Sequence, residues 1–530
     1  MAIKSLNIQT QFEFKPVHAI DIEKMLSQIN VNKATGQDNI PGKTVKMCAK
    51  TLSNTLSNIF NESIKTNTFP DDMKKAEITP VHKKKNDMLK DNYRPVSVLG
   101  TMSKTFETVL GNQIAQYFEP IFNEMLCAYR KKYGCEHVIV KLVDSWKMAL
   151  DENKYAGILL MDLSKAFDCI PHQLLICKMR AYGLGDNACK LMISYLTGRV
   201  QRVKVGDKKS GWEPLKKGVP QGSCLGPLLF NIFINDLFGF IEKCKLANYA
   251  DDNTLSAIER TVQLLLDSLT TDARNAIQWF IINFMQVNPI KFQVMFMKAI
   301  GCTEDFPSCL IVDSVRIDRQ ISVKLLGISI DEKLKFDEHV DSICRKASHQ
   351  VNVLFRFRKI FSRNEKSKMY RSFVLANFNY CPIVWNFCST SHIHKMEKIQ
   401  ERALRFLLDN FSNSYNDLLV IAGYDSLQLK RMKTIACEVF KSLNSLNPSF
   451  MRSMFVEKDN IYDLRDGSRL VQPSFNKIRY GKNTFSYYGS HLWNMLPANI
   501  KNCATDMKMF KQLISTWQGP NCQCSMCTLV

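Results

Sequence analysis

The chain has 530 residues, of which 45% are hydrophobic and 10% aromatic, and its formal net charge at pH 7 is +21. This length and composition exclude a disordered chain and a single small domain, and the positive charge indicates a polyanionic partner such as nucleic acid or, alternatively, a solvated basic surface. Its 18 cysteines follow no repeating framework and no signal peptide is recognisable, so we expect reduced thiols in an intracellular protein of the nucleus or cytoplasm.

The hydropathy pattern predicts no membrane-spanning segment. The longest apolar stretch, residues 225–241, is interrupted by Asn231, Asn235 and Asp236. Such a stretch is typical of a buried or amphipathic helix, because a membrane span needs about 20 predominantly apolar residues. No membrane partner is therefore expected.

Apolar spacing predicts the secondary structure in chain order. The predicted helices cover residues 18–31, 43–66, 104–118, 136–150, 171–182, 186–197, 228–241 and 262–287. The predicted strands cover residues 76–81, 155–161, 200–205 and 292–297. Two longer strands, 311–317 and 323–330, are predicted to pair as one hairpin. A mostly helical and basic pattern extends from His339 to residue 446, and an irregular module follows.

Arg94 stands directly before a proline in the segment 92–99. Pro95 restricts Arg94 to an extended backbone, so a stiff chain places its guanidinium just before an apolar strand. The planar fork of arginine suits phosphate recognition, and an ordinary surface charge is the alternative. The run 82–85, one histidine and three lysines, likewise fits either phosphate contacts or a solvated loop.

Asp162 directly follows the predicted strand 155–161. An acid at the end of a buried strand lies where sheets commonly hold ligands and metal ions. Further along, the segment 218–227 contains three glycines and two prolines around Gln221, which permits close approach of the backbone to a ligand. Neither feature is specific by itself.

Asp251 and Asp252 are adjacent acids between two strand-forming apolar runs, 244–250 and 253–258. This pattern predicts strand, tight turn and strand, with both acids at the turn. Two unit charges about 4 Å apart repel by roughly 4 kcal/mol at a protein-like dielectric. The pair therefore indicates bound cations or protonation, and a solvated turn is the alternative.

Four segments stand in a characteristic order along the chain. They read NYRPVSVL at 92–99, DLSKAFD at 162–168, GVPQGSCLGP at 218–227 and YADD at 249–252. Together they resemble the motifs of the reverse transcriptase of non-LTR (LINE-type) retrotransposons, jockey-like in character. The resemblance covers nearly all of the chain, including LWNMLP at 492–497, and four ordered motifs are far more specific than one.

The resemblance implies an α+β fold of the right-hand polymerase type, with an antiparallel-sheet palm, fingers and a helical thumb. Its implied parts are an N-terminal extension at 1–80, reverse transcriptase fingers and palm at 81–330, a helical thumb at 331–446, and a C-terminal module with a cysteine-containing tail at 447–530.

The activity implied is RNA-directed DNA synthesis for retrotransposon replication, with an RNA template, a DNA primer or target DNA, and dNTPs as partners; the oligomeric state stays open. A primer 3′-hydroxyl attacks the α-phosphate of a dNTP and pyrophosphate leaves, a reaction type that two divalent ions promote. Mg²⁺, with Mn²⁺ as a substitute, takes oxygen ligands. The implied ligands are Asp162, the main-chain carbonyl of Leu163 (also expected beside the dNTP), Asp251 and Asp252.

The resemblance implies three further roles, all of them in nucleotide binding. Phe167 matches the bulky aromatic that would clash with a ribose 2′-hydroxyl, and core packing is its alternative. Arg94 matches a triphosphate contact. Gln221, with Gly222 beside it, matches a contact near the dNTP or the template base.

The resemblance also implies two roles for residues that would contact the pyrophosphate or the primer. Lys291 matches a proton donor to pyrophosphate, and a surface lysine after a turn is the alternative. Leu325, Leu326 and Gly327 match the hairpin that holds the primer end.

Some features depart from the family pattern. The segment 127–135, CAYRKKYGC, matches the usual aromatic-Gly-Phe-Arg pattern only loosely, and Met73 stands where tryptophan is frequent. In the tail, Cys522, Cys524 and Cys527 fit a zinc site only with a distant fourth ligand, and a flexible reduced tail is the alternative.

The sequence leaves two rival functions open. One is a non-catalytic RNA-binding remnant or domesticated copy, against which the intact acids weigh. The other is a group II intron-type reverse transcriptase with RNA-splicing activity, against which the segments 92–99 and 492–497 weigh. Nothing before Lys33 can hold the endonuclease domain that such elements usually encode upstream, so we expect the polymerase portion, a truncated copy or a partial gene.

Overall fold

The computed structural model describes residues 11–83, 86–458, 469–501 and 506–520. These residues mix helices with β-sheet, as the α+β class requires. The helices up to residue 282 are α1 Ala19–Ser27, α2 Gly42–Met47, α3 Ala49–Thr66, α4 Thr101–Phe118, α5 Cys135–Asp151, α6 Ala166–Cys169, α7 His172–Ala181, α8 Asp186–Leu196, α9 Gly226–Ile234 and α10 Val262–Ile282.

The strands form two five-stranded sheets and two separate hairpins. In chain order they are β1 Lys75–His82, β2 Tyr93–Val98, β3 Tyr155–Ser164, β4 Val200–Val205, β5 Lys208–Lys209, β6 Glu213–Pro214, β7 Lys245–Tyr249, β8 Asp252–Glu259, β9 Gln286–Val287, β10 Gln293–Met297, β11 Cys309–Val312, β12 Val315–Asp318, β13 Ser322–Leu325 and β14 Ile328–Asp331.

The first sheet has the order β2-β1-β4-β5, with β6 also paired to β4. The β1–β2 pair is antiparallel, whereas β1 and β4 run parallel. The second sheet has the order β10-β3-β8-β7, with β9 added at the end of β3, and every pair in it is antiparallel.

The second sheet is the middle layer of the molecule, because its two faces belong to different hydrophobic cores. Along β3, Ala156 and Ile158 join a core formed with α5 and the C-terminal helices. Leu159 and Met161 join the other core, which is formed with α10 and the N-terminal helices. Successive side chains of a strand point to opposite faces, so burial of both faces explains the continuous apolar run of β3.

The single hairpin predicted from residues 311–317 and 323–330 is wrong. Each of these stretches turns back on itself, so that β11 pairs with β12 and β13 pairs with β14. Both turns have two central residues of positive φ, 45° and 67° at Asp313 and Ser314, and 46° and 90° at Leu326 and Gly327. Such two-residue turns match the twist of the strands that they join. Each turn is so short that the apolar residues on its two sides read as one strand in the sequence, although the alternation shifts by one residue there and Asp313, Ser314 and Gly327 are turn-forming residues.

Three predicted helices are shorter than expected. The helix expected at 43–66 is broken at Cys48 into α2 and α3. The helix expected at 228–241 ends as an α-helix at Ile234 and continues as the 3-10 segment Asn235–Phe240. Helix α10 ends at Ile282, before the short strand β9. None of the helices that the structure describes is both long enough and apolar enough to span a membrane.

The C-terminal part is helical, as predicted up to residue 446 and contrary to the irregular module expected beyond it. Its helices are α11 Asp337–Arg356, α12 Arg363–Met369, α13 Pro382–Trp385, α14 Thr390–Leu408, α15 Tyr415–Ala422, α16 Leu427–Leu443, α17 Ser449–Arg452, α18 Ile478–Gly481, α19 Phe485–Met495, α20 Ala498–Lys501 and α21 Met507–Thr516.

Helix α5 carries two carboxylates that bind the backbone of this last part. Asp144 is buried and accepts hydrogen bonds from the backbone N–H groups of Phe485 and Ser486 in the first turn of α19. Asp151, also buried, accepts from the N–H groups of Asn476 and Lys477 at 2.7 and 2.6 Å. Negative side chains at unpaired N–H groups of a helix start are favourable.

We expect a pH-dependent loss of stability from His339. Burial, with the nearby charge of Lys324, lowers the pKa of His339 to about 4, and its Nδ1 accepts from the N–H of Ser329 at 3.4 Å. The unfolded chain takes up a proton near pH 6.5 and the folded chain does not, so the free energy of unfolding falls by roughly 2 kcal/mol between pH 7 and pH 5.

Thermal unfolding of the His339→Gln variant across this pH range should show a smaller fall than that of the natural chain. His394→Gln is the matched control, because His394 is exposed on α14. Equal pH dependence of the natural chain and the His339→Gln variant would show that the buried imidazole does not contribute.

Candidate active site

The sheet register places two of the predicted acids on neighbouring strands. Asp162 on β3 lies opposite Asp252 on β8. Strands β7 and β8 form the predicted hairpin, and Asp251 lies in its turn, next to Ala250 with φ 57°. Asp162 and Asp251 differ by 89 in residue number, but they lie near the same end of the sheet because β3 and β8 pair directly.

Two asparagine side chains hold the turn of this hairpin. The Asn248 Nδ2 group, which is fully buried, donates to the carbonyl of Ala250 and to Asn253 Oδ1, each at 2.9 Å. Asn253 Nδ2 donates to the carbonyl of Asp251 at 3.1 Å. These bonds satisfy backbone groups that a tight turn leaves without ladder partners. Sequence reasoning missed both asparagines, although each lies within three residues of the acid pair.

The acids influence one another electrostatically. Partial desolvation, and then the charges of Asp251 and Asp162, raise the pKa of Asp252 to about 6. Lys291, in the 3-10 turn Pro289–Lys291 before β10, donates from Nζ to Asp162 Oδ2 at 2.8 Å. Lys291 and Asp162 are therefore in contact at the ends of β3 and β8, with Asp252 on the neighbouring strand and Asp251 in the adjoining turn.

The donor set suits a hard cation. All three side chains offer carboxylate oxygens, which Mg²⁺ prefers, and the negative charges of Asp251 and Asp162 add to desolvation in raising the pKa of Asp252. Within the described ranges, however, no three His, Cys, Asp or Glu side chains are arranged closely enough to hold a metal ion. The three tail cysteines considered for zinc lie outside the described residues.

Phe167 is packed between two other rings. On one side it stacks on Phe230, with ring centroids 4.7 Å apart and an interplanar angle of 21°. On the other side Tyr129 meets it edge to face, at 6.2 Å and 84°. Phe230 is fully buried, whereas Tyr129 is 55% exposed, so Phe167 lies at the boundary between core and solvent.

The loop after β6, residues 218–225, is bound to β2 of the first sheet and to helix α6. Gln221 donates from Nε2 to Asp168 Oδ1 at 2.9 Å, and its carbonyl accepts from the N–H of Ser97 on β2 at 2.7 Å. Gly222 has φ +128°, and a Cβ there would lie 2.4 Å from the carbonyl oxygen of Ser97. Glycine is required at this position because of both the backbone conformation and the close approach.

A buried carboxylate on α4 supports the same loop. Glu107 accepts from the N–H of Cys224 at 2.7 Å and from the Tyr195 hydroxyl at 2.9 Å. Burial raises the pKa of Glu107. In the sequence, the role of Glu107 is indicated only by a charged side chain within the apolar pattern of a predicted helix. The sequence analysis did not use this indication.

Arg94 lies apart from the acids. It is exposed on β2, in register with Val81 of β1, and no contact described for the chain joins it to the carboxylate cluster. The ion pair of Lys165 with Asp91, at 3.3 Å, connects the turn after β3 to the segment just before β2. Arg94 and Phe167 therefore lie on elements that are linked to each other.

The predicted primer-holding residues form the β13–β14 turn, opposite the acids. A cavity of about 650 Å³ separates them, and it is lined by Asp162, Asp252, Lys291, Leu325 and Leu326, among other residues. On its far side the turn is held by a tyrosine of the C-terminal helical region, whose hydroxyl donates to the carbonyl of Leu326 and whose ring lies 3.2 Å from the position of a Cβ on Gly327. That tyrosine is Tyr380.

Comparison with known proteins agrees with this arrangement. Residues 81–330 match the family Reverse transcriptase (RNA-dependent DNA polymerase). The chain is 26% identical to the probable RNA-directed DNA polymerase from transposon BS of Drosophila melanogaster, over 76% of this chain and 46% of that protein. It is also 26% identical to the RNA-directed DNA polymerase from mobile element jockey of Drosophila funebris, over 75% of this chain and 45% of that protein.

The chain thus spans just under half the length of these relatives. The match confirms the resemblance that the four ordered motifs indicate. Residues 81–330 are thus a match to the reverse transcriptase family, and the chain is similar over about three quarters of its length to the RNA-directed DNA polymerases of jockey-like retrotransposons.

Proposed function

We propose that this chain is an RNA-directed DNA polymerase that extends a primer 3′-hydroxyl with dNTPs during retrotransposon replication. The observation that carries the proposal is the pairing of β3 with β8, which brings Asp162 opposite Asp252 with Asp251 in the adjoining turn. The substrates are an RNA template, a DNA primer or target DNA, and dNTPs. The family match and the formal charge of +21 support these polyanionic partners.

In this proposal the second sheet is the palm, which makes residues 81–330 the fingers and palm. The first sheet and the helices beside it, counted from residue 81 onward, are the fingers, and residues 331–446 are the thumb; strand β1 crosses the boundary between the extension and the fingers. The segments 1–80 and 447–530 are an N-terminal extension and a C-terminal module. The antiparallel β10-β3-β8-β7 order and the run of helices from α11 to α16 support this division.

Asp162, Asp251 and Asp252 are the proposed ligands of two Mg²⁺ ions, together with the main-chain carbonyl of Leu163. Divalent ions of this kind, when bound, activate the attacking oxygen and neutralise the leaving one. The carboxylates supply the negative charge that attracts such ions. Leu163 fits the same end of the sheet, because it pairs with Val287 of β9 one residue beyond Asp162.

Lys291 is the proposed proton donor to the leaving pyrophosphate. Its ammonium group already contacts Asp162, and that carboxylate holds it beside the acids. An ammonium group can both neutralise a leaving phosphate and supply a proton to it. Its position in the turn directly before β10 supports this role over that of a remote surface lysine.

Phe167, Gln221, Gly222 and Arg94 are the proposed nucleotide-binding residues. Phe167 presents a ring fixed against Phe230, which suits exclusion of a ribose 2′-hydroxyl. The bond between Gln221 and Asp168 aligns the amide on a rigid loop. Arg94 is exposed and free to meet a triphosphate. Leu325, Leu326 and Gly327, across the cavity, would hold the primer end.

Asp251→Ala should abolish nucleotide addition. Loss of one carboxylate weakens stabilisation of the developing charge by several kcal/mol, so the rate should fall by roughly a hundredfold or more. The measurement is primer extension on an RNA template with dNTPs and Mg²⁺. Asp267→Ala, an exposed acid on α10, is the matched control and should extend primers normally.

Equal incorporation by the natural chain and the Asp251→Ala variant would refute the catalytic assignment. RNA binding without incorporation by either protein would instead favour a non-catalytic RNA-binding remnant of such an element.

Phe167→Ala should increase incorporation of rNTPs relative to dNTPs by roughly tenfold or more, because the space for a 2′-hydroxyl opens. The ratio of kcat/KM for a dNTP to that for the matching rNTP measures the effect. Phe167→Tyr keeps a ring of the same breadth and should retain the discrimination. Unchanged sugar selectivity in Phe167→Ala would assign the ring to core packing alone.

Gly222→Ala should weaken dNTP binding, because the added Cβ would press on the carbonyl of Ser97 and displace the loop that carries Gln221. Overpacking of this kind costs about 1–3 kcal/mol, so KM for dNTPs should rise several-fold and the melting temperature should fall. Gly211→Ala is the control, since a Cβ there meets nothing within 4 Å. Identical kinetics of both variants would contradict a role for this loop in nucleotide binding.

A further inference from the structure

Tyr129 occupies a backbone conformation that bulky residues rarely adopt. It lies in the loop between α4 and α5, and its φ is +60°. The left-handed region brings the Cβ of an L-residue close to its own backbone, so it normally holds glycine or asparagine. A side chain persists in such a conformation where its surroundings hold it there, and such sites cluster at functional positions.

The loop on both sides of the tyrosine is firmly bound to the hairpin that carries the acids and to helix α9. The N–H of Cys127 donates to the carbonyl of Asn248 on β7 at 3.0 Å. Asn231 on α9 donates from Nδ2 to the carbonyl of Ala128 at 2.7 Å. Arg130 donates from Nη1 to two carbonyls of the same loop at 2.7 and 2.8 Å. These bonds leave the tyrosine little freedom to relax.

The ring of Tyr129 is the second aromatic contact of Phe167. The buried Phe230 stacks on Phe167, and the exposed Tyr129 meets Phe167 edge to face with an interplanar angle of 84°. Edge-to-face pairs of this kind are attractive beyond their buried area. Without Tyr129, Phe167 would keep only its aromatic contact with Phe230, and its ring would be held less firmly.

Tyr129 also borders open space. Desolvation and, after it, the charge of Asp251 raise the pKa of Tyr129. The same side chain lines a cavity of about 1530 Å³ beside α4 and α9. Its 55% exposure shows that core packing alone does not account for the strained conformation.

We propose that Tyr129 is a positioning residue for sugar selection: it holds the ring of Phe167 in place and thereby sets the discrimination between dNTPs and rNTPs. This inference rests on the proposed polymerase function and on the gate role of Phe167. The tyrosine acts through Phe167, so its removal should matter only while the phenylalanine is present.

The decisive variant is Tyr129→Gly, tested in the full chain. Glycine accepts φ +60° without strain, so the melting temperature should hold or rise while selectivity falls. The ratio of kcat/KM for a dNTP to that for its matching rNTP, in primer extension on an RNA template, should drop roughly three- to tenfold. Tyr129→Phe keeps the ring and should stay within about twofold of the natural chain.

Tyr133→Ala is the matched control. Tyr133 belongs to the same loop, but its ring packs on Arg130 and Phe450 and not on Phe167. Its loss should leave the dNTP-to-rNTP ratio unchanged even if stability falls. The double variant Tyr129→Gly with Phe167→Ala should show the same ratio as Phe167→Ala alone, because residues in contact couple non-additively.

Three results would overturn the inference while leaving the polymerase function intact. One is an unchanged ratio in an active Tyr129→Gly variant, and the other is a double variant whose ratio falls by the full product of the two single effects. Loss of all incorporation by a folded Tyr129→Gly variant would also overturn it, since the residue would then act on both nucleotides. Absence of any incorporation by the natural chain would defeat the proposed function itself.

Discussion

The antiparallel pairing of β3 with β8 is the constraint on which the rest of the site depends. It holds Asp162 opposite Asp252, and the turn of the neighbouring hairpin adds Asp251. Both faces of this sheet are buried in separate cores, so the strands cannot slide apart to relieve the repulsion without exposing apolar side chains. Two local effects reduce the repulsion instead: Lys291 pairs with Asp162, and the pKa of Asp252 is higher than that of a free carboxyl. The fold thus keeps these acidic side chains together at one end of the sheet.

Two structural elements, a loop and a hairpin turn, lie beside the acidic side chains. Each is held in place by residues that are distant in the sequence. The loop with Gln221 is bonded to Ser97 on β2 and supported by the buried Glu107 on α4. The β13–β14 turn, across a cavity, is held by the hydroxyl of Tyr380. Rigid supports of this kind reduce the entropic cost of aligning reactants, which is a large part of what a polymerase site needs to supply.

Helix α5 connects these parts to the C-terminal helices. Its Trp146 donates to the hydroxyl of Ser256 on β8 at 2.7 Å, so the helix contacts the strand that begins with Asp252. On its other side Asp144 and Asp151 bind backbone N–H groups of the C-terminal segment. Removing Asp144 would leave two buried N–H donors unpaired, which is costly. The helices beyond residue 446 are therefore packed into the structure that supports the acids, and are not an independent appendage.

The sequence by itself determined the acids, the hairpin at 249–252 and most helices and strands, because these follow from local periodicity and from four motifs whose order is specific. Sequence-based prediction failed at the two-residue turns near Asp313 and Leu326, because a turn of two residues barely interrupts the run of apolar residues on its two sides. Only the tertiary structure decided which side chains meet: Lys291 with Asp162, Gln221 with Asp168, and Tyr129 with Phe167. Contacts between residues distant along the chain depend on strand register and on the packing of two cores, and no local pattern encodes either.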